Sequence, residues 1–399
     1  MELAQRNYQS AAAGLEALFA ASAPDVISFA GGYPDRSLFP TQALNQAFAT
    51  SFTSGDSELL QYNSARGFLP LRQKLAKRMS QDGILVSADD VLMTQGAQQG
   101  IDLAARLLLD KGDGLVVEGP TYVGALAAFD AYQPTYYTVP VEADGMDLHA
   151  LQKLLMTHKI KMIYTVPDFQ NPTGTVMSVA KRKALVALAN QYDVVILEDG
   201  PYRDLRYEGE NLPPIRHFDT QGRVIFLGSF SKILAPSLRI GWLTASAALL
   251  KPLMALKGGA DVESSTLMMQ GINNYLAHND LDAHIQTIRT CYKAKKDLMV
   301  QTLRQYLPAG CSVNDPQGGF FLWLSLPAGF DAEAFMYDTL LPKANVSFVP
   351  ASVMIPGKGL TNGARLNFTG CSMAQIQAGS QALGVALSTA LRPSAANVQ

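Results

Sequence analysis

The sequence predicts an α/β fold with a mainly parallel sheet, and three observations lead to this prediction. Short apolar runs recur along the chain, and polar or glycine-containing turns follow them. Between many of these runs lie longer stretches with helical spacing of apolar residues, such as Val179–Tyr192. Buried strands that alternate with helices are typical of α/β domains, whose functional residues gather at the carboxyl ends of the strands.

The elements of this predicted sheet follow one another in the middle of the chain. A helix is predicted to begin within Thr94-Gln-Gly-Ala-Gln-Gln-Gly100, because Ile101, Ala104, Ala105 and Leu108 then share one apolar face. The predicted strands are, in chain order, 115–117, 162–166, 194–197, 224–227 and 240–243.

The alternating pattern weakens after about residue 285. A helix is predicted over 283–306, followed by an apolar segment at 318–324, a strand-like segment at 364–368 and a surface-docked helix within 367–391. We therefore expect a large domain over 45–285, and a smaller α+β domain that combines 1–44 with 286–399.

Length and composition describe a globular protein of enzyme size. The 399 residues allow two or three domains, and 48% of them are hydrophobic. Lys and Arg number 32 against 34 Asp and Glu, a difference of −2, which gives no electrostatic footprint for nucleic acid or an anionic membrane. We expect neither as a partner.

The cysteines and the N-terminus favour a cytoplasmic location. Three cysteines lie far apart without a CxxC pair, so neither a disulfide framework nor a zinc knuckle is predicted. The first residues lack a basic segment followed by an apolar one, so we expect no secretory signal. The uncharged stretch near the C-terminus is too polar for a membrane span.

Several common catalytic signatures are absent from the sequence. It contains no GxGxxG, GxxxxGK[ST], GxSxG or HExxH, so nicotinamide, P-loop, serine-hydrolase and zinc-protease chemistry are disfavoured and no metal is expected. Five histidines are more simply explained as surface or structural residues.

The segment from Gly228 to Trp242 is the most informative one. Lys232 follows the predicted strand 224–227, between Ser229 and Ser231 on one side and Arg239 on the other. A lysine amine becomes a Schiff-base nucleophile when nearby cations or an apolar site lower its pKa. Serines and an arginine suit a phosphate. Taken alone, the segment leaves a purely structural lysine possible.

Three other polar segments follow the ends of predicted elements. Asp199 and Tyr202 lie in Leu197-Glu-Asp-Gly-Pro-Tyr202, where the acid could pair with a protonated ring nitrogen. Asn171 lies in Pro167-Asp-Phe-Gln-Asn-Pro-Thr-Gly174, and the start of the helix near Ala97 offers free amides to an anion. Taken singly, these segments have structural explanations as well: a helix cap, a turn and a glycine cap.

Together and in this order, the four segments resemble pyridoxal-phosphate (PLP) enzymes of fold type I, and among them class I/II aminotransferases. The similarity extends to the subgroup that contains kynurenine and 2-aminoadipate aminotransferases and the bodies of MocR regulators. Further matching segments are Ile27-Ser-Phe-Ala-Gly-Gly-Tyr-Pro-Asp35, Leu60-Gln-Tyr-Asn63 with Gly67, Glu118-Gly-Pro-Thr-Tyr122 and Arg365-Leu-Asn-Phe368.

The resemblance implies a role for each matched residue. Lys232 holds the cofactor as a Schiff base and then moves a proton, while Asp199 keeps the pyridine nitrogen protonated. Asn171 and Tyr202 bond the ring oxygen, and Tyr122 stacks on the ring. The implied phosphate ligands are Ser229, Ser231, Arg239, Ala97 and Gln98. The implied substrate contacts are the α-carboxylate clamp Arg365, the backbone at Gly32, and Asn171.

The sequence departs from its relatives in two places. Ala97 replaces a serine, which leaves only a backbone N–H toward the phosphate. Relatives that act on 2-aminoadipate carry an arginine in the N-terminal helix, where this chain reads Ala11-Ala-Ala-Gly-Leu15. A second substrate carboxylate would need its own cation. We therefore expect neutral or aromatic amino acids as donors, with Arg6 or Arg66 as the residues that could substitute for that arginine.

The resemblance implies an aminotransferase with ping-pong kinetics that acts on an amino acid and a 2-oxo acid. It also implies a homodimer in which Tyr62 reaches the neighbouring active site. A PLP-dependent β-lyase is the alternative enzyme, because the same cradle supports elimination. A PLP-sensing regulator would carry a DNA-binding region first, and with the Ala-Gly-Gly block beginning at Ala30 we expect no room for one.

Overall fold

The computed structural model describes residues 25–53, 57–357 and 359–392. The described strands are, in chain order, β1 (Ile27–Ser28), β2 (Val91–Thr94), β3 (Gly114–Gly119), β4 (Thr135–Glu142), β5 (Gly145–Met146), β6 (Ile160–Thr165), β7 (Val195–Asp199), β8 (Val224–Ser229), β9 (Gly241–Thr244), β10 (Ser312–Val313), β11 (Phe321–Ser325), β12 (Val346–Ser347), β13 (Val349–Pro350) and β14 (Gly363–Asn367).

The described α-helices are Thr41–Thr53, Leu69–Gln81, Ala97–Leu108, Val123–Asp130, Leu148–Thr157, Val179–Tyr192, Ala247–Asp261, Thr266–His278, Leu281–Tyr306, Ala332–Phe335, Leu341–Ala344 and Met373–Ala390. Single 3₁₀ turns occur at Arg36–Leu38, Ser57–Leu60, Ala88–Asp90, Ile215–Phe218, Pro236–Leu238 and Ala351–Met354, and a π-helical turn at Met336–Leu340. Within the described ranges, no helix combines the length and the apolar character needed to cross a membrane.

A mixed, mostly parallel sheet organises the middle of the chain. Its strand order is β2-β9-β8-β7-β6-β3-β4-β5, and the neighbours from β8 to β4 are parallel. Strands β2, β7 and β8 are buried at every position, because helices cover both faces of the sheet. The predicted α/β fold is confirmed, and all five predicted strands overlap observed ones, with ends that differ by at most two residues.

Two strand reversals decide what meets at the functional edge of this sheet. Strand β9 is antiparallel to both β8 and β2, so β2 runs in the same direction as β8. The helix that follows β2 therefore begins at the same edge at which β3, β6, β7 and β8 end. This topology places Ala97 beside the residues that follow the parallel strands.

A second, antiparallel sheet has the order β10-β11-β14-β13, and β1 pairs separately with β12. The long helix Leu281–Tyr306 packs against Met373–Ala390, which buries Ile376, Leu383 and Leu387 of the predicted C-terminal helix, while Leu391 lies just after its end and is half-buried. The predicted domain limits at 44/45 and 285/286 fall inside the helices Thr41–Thr53 and Leu281–Tyr306. The division into two domains stays a prediction.

Candidate active site

A cavity of about 300 Å³ lies at the carboxyl edge of the large sheet. Tyr122, Asn171, Asp199 and Ser229 reach it at or just after the ends of four parallel strands. The other predicted site residues that line it are Gly32, Ala97, Gln98, Tyr202, Ser231, Lys232, Arg239 and Arg365. The structure therefore brings together every predicted site residue except Tyr62, whose side chain is 78% exposed and lies outside this lining.

Lys232 is the lysine of this cavity. Its Nζ donates a hydrogen bond to the carbonyl oxygen of Gly32 at 2.9 Å and lies 5.3 Å from the centre of the Phe320 ring. Burial, helped by the charges of Arg365 and Arg239, lowers the lysine pKa to about 8, although the Asp199 charge opposes this shift. About a tenth of the amine is thus uncharged at pH 7 and able to act as a nucleophile.

Asp199, at the end of β7, is buried at the base of the cavity. Its Oδ2 accepts a hydrogen bond from the Tyr164 hydroxyl at 2.8 Å, while its buried Oδ1 has no partner among the described residues. Burial raises the pKa of this carboxyl to about 6, against the opposing effects of Tyr164 and Lys232. An anionic oxygen left unpaired in a buried place fits a protonated heterocyclic nitrogen.

An anion-binding corner lies at the start of helix Ala97–Leu108. Gly96 caps this helix with a φ of 75°, and a Cβ built there would lie 2.7 Å from Nη2 of Arg239, so the position requires glycine. Arg239 itself adopts a left-handed φ of 51° and donates to the Gln95 carbonyl. Ser229 and Ser231 lie nearby with their hydroxyls 2.9 Å apart, and this donor set suits a phosphate.

Arg365, in β14, presents a buried guanidinium to the other side of the cavity. It donates to Asn171 Oδ1 at 2.9 Å and to the Ala30 carbonyl at 2.5 Å, and its Cζ lies 4.3 Å from the centre of the Phe321 ring. Burial lowers its pKa to about 10, so it remains a cation at neutral pH. Within the described ranges no carboxylate pairs with it and its Nε has no hydrogen-bond partner, which leaves it suited to a carboxylate ligand.

Residues 29–35, which we call the strap, close the cavity from the side of the smaller sheet. Hydrogen bonds to its backbone groups hold the strap in place. The Phe29 carbonyl accepts from Asn367 N, and the Tyr33 carbonyl accepts from Thr369 Oγ1. Asp35 N donates to the Tyr292 hydroxyl oxygen. The Asp35 carboxylate also pairs with the buried Lys295 at 2.6 Å. The strap therefore presents the Gly32 carbonyl to Lys232 from a rigid position.

The residues of the site that were not predicted from the sequence include three aromatic ones. Tyr33 and Phe321 line the cavity, and Tyr164 lies behind Asp199. The Tyr33-Pro34 pair in the strap and the Phe320-Phe321 pair are visible in the sequence, and they could have been interpreted as the wall of a pocket. Tyr164 lies within a buried strand, where the sequence does not distinguish it from any other aromatic residue of the core.

The cations that line the described part of the cavity are Lys232, Arg239 and Arg365. Arg66 does not line it, because its guanidinium pairs with Asp89 at 2.8 Å and contacts the sulfur of Met254. Arg6 and the stretch Ala11–Leu15 lie outside the described residues. Arg239 belongs to the anion-binding corner, so Arg365 is the one guanidinium of the described lining that remains for a substrate.

Comparison with known proteins identifies the family. The model of aminotransferase class I and II matches residues 24–383. Aromatic-amino-acid aminotransferase 1 of Thermococcus litoralis is 39% identical over 351 residues, which are 86% of this chain and 84% of that protein.

Two solved structures are similar over nearly the whole chain. The kynurenine aminotransferase of Pyrococcus horikoshii, in complex with PMP, is 34% identical with a TM-score of 0.90, covering 98% of this chain and 96% of that one. The α-aminoadipate aminotransferase LysN of Thermus thermophilus, complexed with N-(5′-phosphopyridoxyl)-L-leucine, is 31% identical with a TM-score of 0.90, covering 98% of each chain.

These matches confirm the fold type and the resemblance noted in the sequence. The cofactor is pyridoxal 5′-phosphate, and the unpaired Asp199 oxygen, the anion-binding corner and Lys232 fit its ring nitrogen, phosphate and aldehyde. The enzyme is an aminotransferase. The chain belongs to the family of class I and II aminotransferases.

Proposed function

We propose that this aminotransferase takes its amino group from neutral, apolar or aromatic L-amino acids and works by a ping-pong mechanism. The observation that carries the substrate class is the charge of the described lining, where Arg365 is the cation left over for a substrate. The same lining also includes Tyr33, Ile101 and Phe321, which favour an apolar substrate side chain. A second carboxylate would remain unpaired in this lining, which is costly.

The roles of the protein groups follow from their positions. Bound PLP supplies an electron sink for the pair of electrons released at the substrate Cα. Arg365 orients the substrate by two parallel hydrogen bonds to its carboxylate, and Phe321 supports the guanidinium plane. Lys232 accepts the proton from the substrate Cα and can pass it to a carbon of the cofactor. It can act as this base because its lowered pKa leaves part of the amine uncharged.

The remaining residues hold the cofactor. Asp199 would pair with the ring nitrogen, Asn171 and Tyr202 would bond the ring oxygen, and Tyr122 would stack on the ring. Ser229, Ser231, Arg239 and the N–H groups at Ala97 and Gln98 hold the phosphate. The Gln98 side chain donates to the Gly124 carbonyl at 2.6 Å and accepts from the Tyr122 hydroxyl at 3.2 Å, which supports the stacking residue from behind.

The substrate class is tested with a series of donors. kcat/KM is measured for leucine, methionine, phenylalanine, kynurenine, aspartate and 2-aminoadipate with one 2-oxo acid. In a separate assay, pyruvate release is followed with cystathionine, which carries a thiolate leaving group on Cβ. We expect an apolar or aromatic donor to lead. A dicarboxylate that leads by tenfold or more, about 1.4 kcal/mol of transition-state preference, would contradict the proposal. Release of pyruvate without a 2-oxo acid would favour the β-lyase instead.

We also propose a homodimer in which Tyr62 serves the neighbouring active site. Tyr62 is exposed together with the large apolar residues Phe52, Leu60 and Val262, and the adjacent Asn63 N–H donates to the Glu263 carboxylate. Mixing an inactive Lys232→Ala protein with a Tyr62→Ala protein should restore activity, because one site of each mixed dimer is then intact. A fully active monomer in light scattering would refute shared sites.

The expected cytoplasmic location remains a prediction. The three cysteines, Cys291, Cys311 and Cys371, are free, as suits a reducing compartment.

A further inference from the structure

Tyr164 makes the one hydrogen bond to the Asp199 carboxylate that the described residues provide. The hydroxyl donates to Oδ2 at 2.8 Å, and Oδ1 is left without a partner. Tyr164 is fully buried in β6, next to β7, and its ring packs edge-on against Phe129 with 5.4 Å between the ring centres. Unlike Asp199, it does not line the cavity. It reaches the site only through that carboxylate.

This arrangement divides the two carboxylate oxygens between two tasks. Because Oδ2 is held by the hydroxyl, the carboxylate cannot rotate freely, and Oδ1 stays available for a ligand. The same hydrogen bond stabilises the anion, in a place where burial favours the neutral acid and raises the pKa of Asp199 to about 6. Without the bond, a larger fraction of Asp199 would be protonated at neutral pH.

We infer that Tyr164 is a positioning residue that keeps Asp199 anionic and aims its free oxygen at the ring nitrogen of PLP. The inference rests on the proposed role of Asp199. The hydroxyl itself stays protonated, because burial and the nearby Asp199 charge raise the Tyr164 pKa well above its usual value. Lys232 also stabilises the Asp199 anion, and burial together with the Asp199 charge raises the pKa of the Tyr122 and Tyr202 hydroxyls, which therefore stay protonated.

The test uses Tyr164→Phe, which keeps the buried ring and removes the hydroxyl. When more of Asp199 is protonated, the ring nitrogen of bound PLP keeps its own proton less well. A ring nitrogen without that proton no longer repels the proton held at the Lys232 nitrogen. We therefore expect the pH midpoint of the visible cofactor band in the holoenzyme to rise by about one pH unit, because a hydrogen bond to a charged group is lost. PLP should also dissociate about tenfold faster.

Tyr136→Phe is the matched control. Tyr136 is another tyrosine whose hydroxyl donates to an aspartate, Asp130, at 2.7 Å, but it lies in β4 and does not line the cavity. This variant should match any loss of thermal stability and leave the cofactor band unchanged. Equal shifts of the band in both variants would overturn the inference.

A second variant keeps the test decisive if Tyr164→Phe folds poorly. Site-specific 3,5-difluorotyrosine at position 164 retains the ring and makes the hydroxyl a stronger donor, so the midpoint should move down instead of up. An unchanged or raised midpoint would count against the inference.

Asp199→Asn distinguishes a failure of the inference on Tyr164 from a failure of the proposed role of Asp199. If Asp199→Asn moves the midpoint and the changes at Tyr164 do not, the inference on Tyr164 fails and the proposed role of Asp199 stands. If Asp199→Asn leaves the midpoint unchanged, the proposed role of Asp199 fails, and the inference fails with it.

Discussion

Replacing Arg365 by lysine should weaken the grip on the substrate carboxylate and little else. The guanidinium is held by Asn171, by the Ala30 carbonyl and by the Phe321 ring, so its fork has a fixed direction. Lysine retains the charge but loses the planar, bidentate geometry. A hydrogen bond to a charged group contributes about 1.5–3 kcal/mol, so kcat/KM for phenylalanine should fall about 10- to 150-fold.

The assay compares phenylalanine with 2-phenylethylamine, which has the same ring and amine but no carboxylate. Arg365→Lys should lower kcat/KM for phenylalanine and leave the slow reaction of the amine nearly unchanged. Arg206→Lys is the matched control, since Arg206 is also buried and lies over an aromatic ring, 4.9 Å from the centre of Phe169, away from the cavity lining. Equal losses for both substrates would refute the assignment of Arg365 to the carboxylate.

Three further predictions concern stability, cofactor uptake and chemistry. Arg182→Met should lower the free energy of unfolding by about 3 kcal/mol, because it breaks the buried ion pair with Asp168. We expect the lower end of the range for such pairs, since Asp168 still has Arg203 at 3.7 Å. Urea unfolding measures the loss, and Lys293→Met, at a more exposed ion pair, is the control. The rate at which the apo protein takes up PLP should rise with pH and level off above about 8, the pKa of Lys232, and a rise that continued to pH 10 in stopped-flow traces would contradict that pKa. Lys232→Ala should abolish the visible band and slow transamination by orders of magnitude, and full activity in this variant would exclude the assigned lysine.

The site could largely be predicted from the sequence because its groups follow strand ends. Asp199, Asn171 and Lys232 lie two to five residues after predicted apolar runs, and a parallel sheet carries such positions to one edge. Arg365 follows no such rule. Its place opposite Lys232 depends on how β14 and the strap meet the large sheet, and only the resemblance to a family indicated it.

The residues that were missed show where sequence patterns lose information. Tyr164 occupies an inward position of a buried strand, and the same pattern would fit phenylalanine, because periodicity reports burial and not a hydroxyl. Its partner Asp199 is 35 residues away and meets it across two paired strands. The exposed Tyr62 marks a different limit, because a single chain does not contain the surface against which it would act.

The strap has a consequence for how the enzyme can diversify. It is anchored through backbone groups and through Asp35, whereas the Tyr33 side chain is 47% exposed and covers Gly31, where a Cβ would lie 2.3 Å from the tyrosine ring. Anchoring and ligand contact thus reside in different atoms of the same seven residues. Selection can exchange the side chain at position 33 and so change which donors are accepted, while the peptide groups that hold the strap stay as they are.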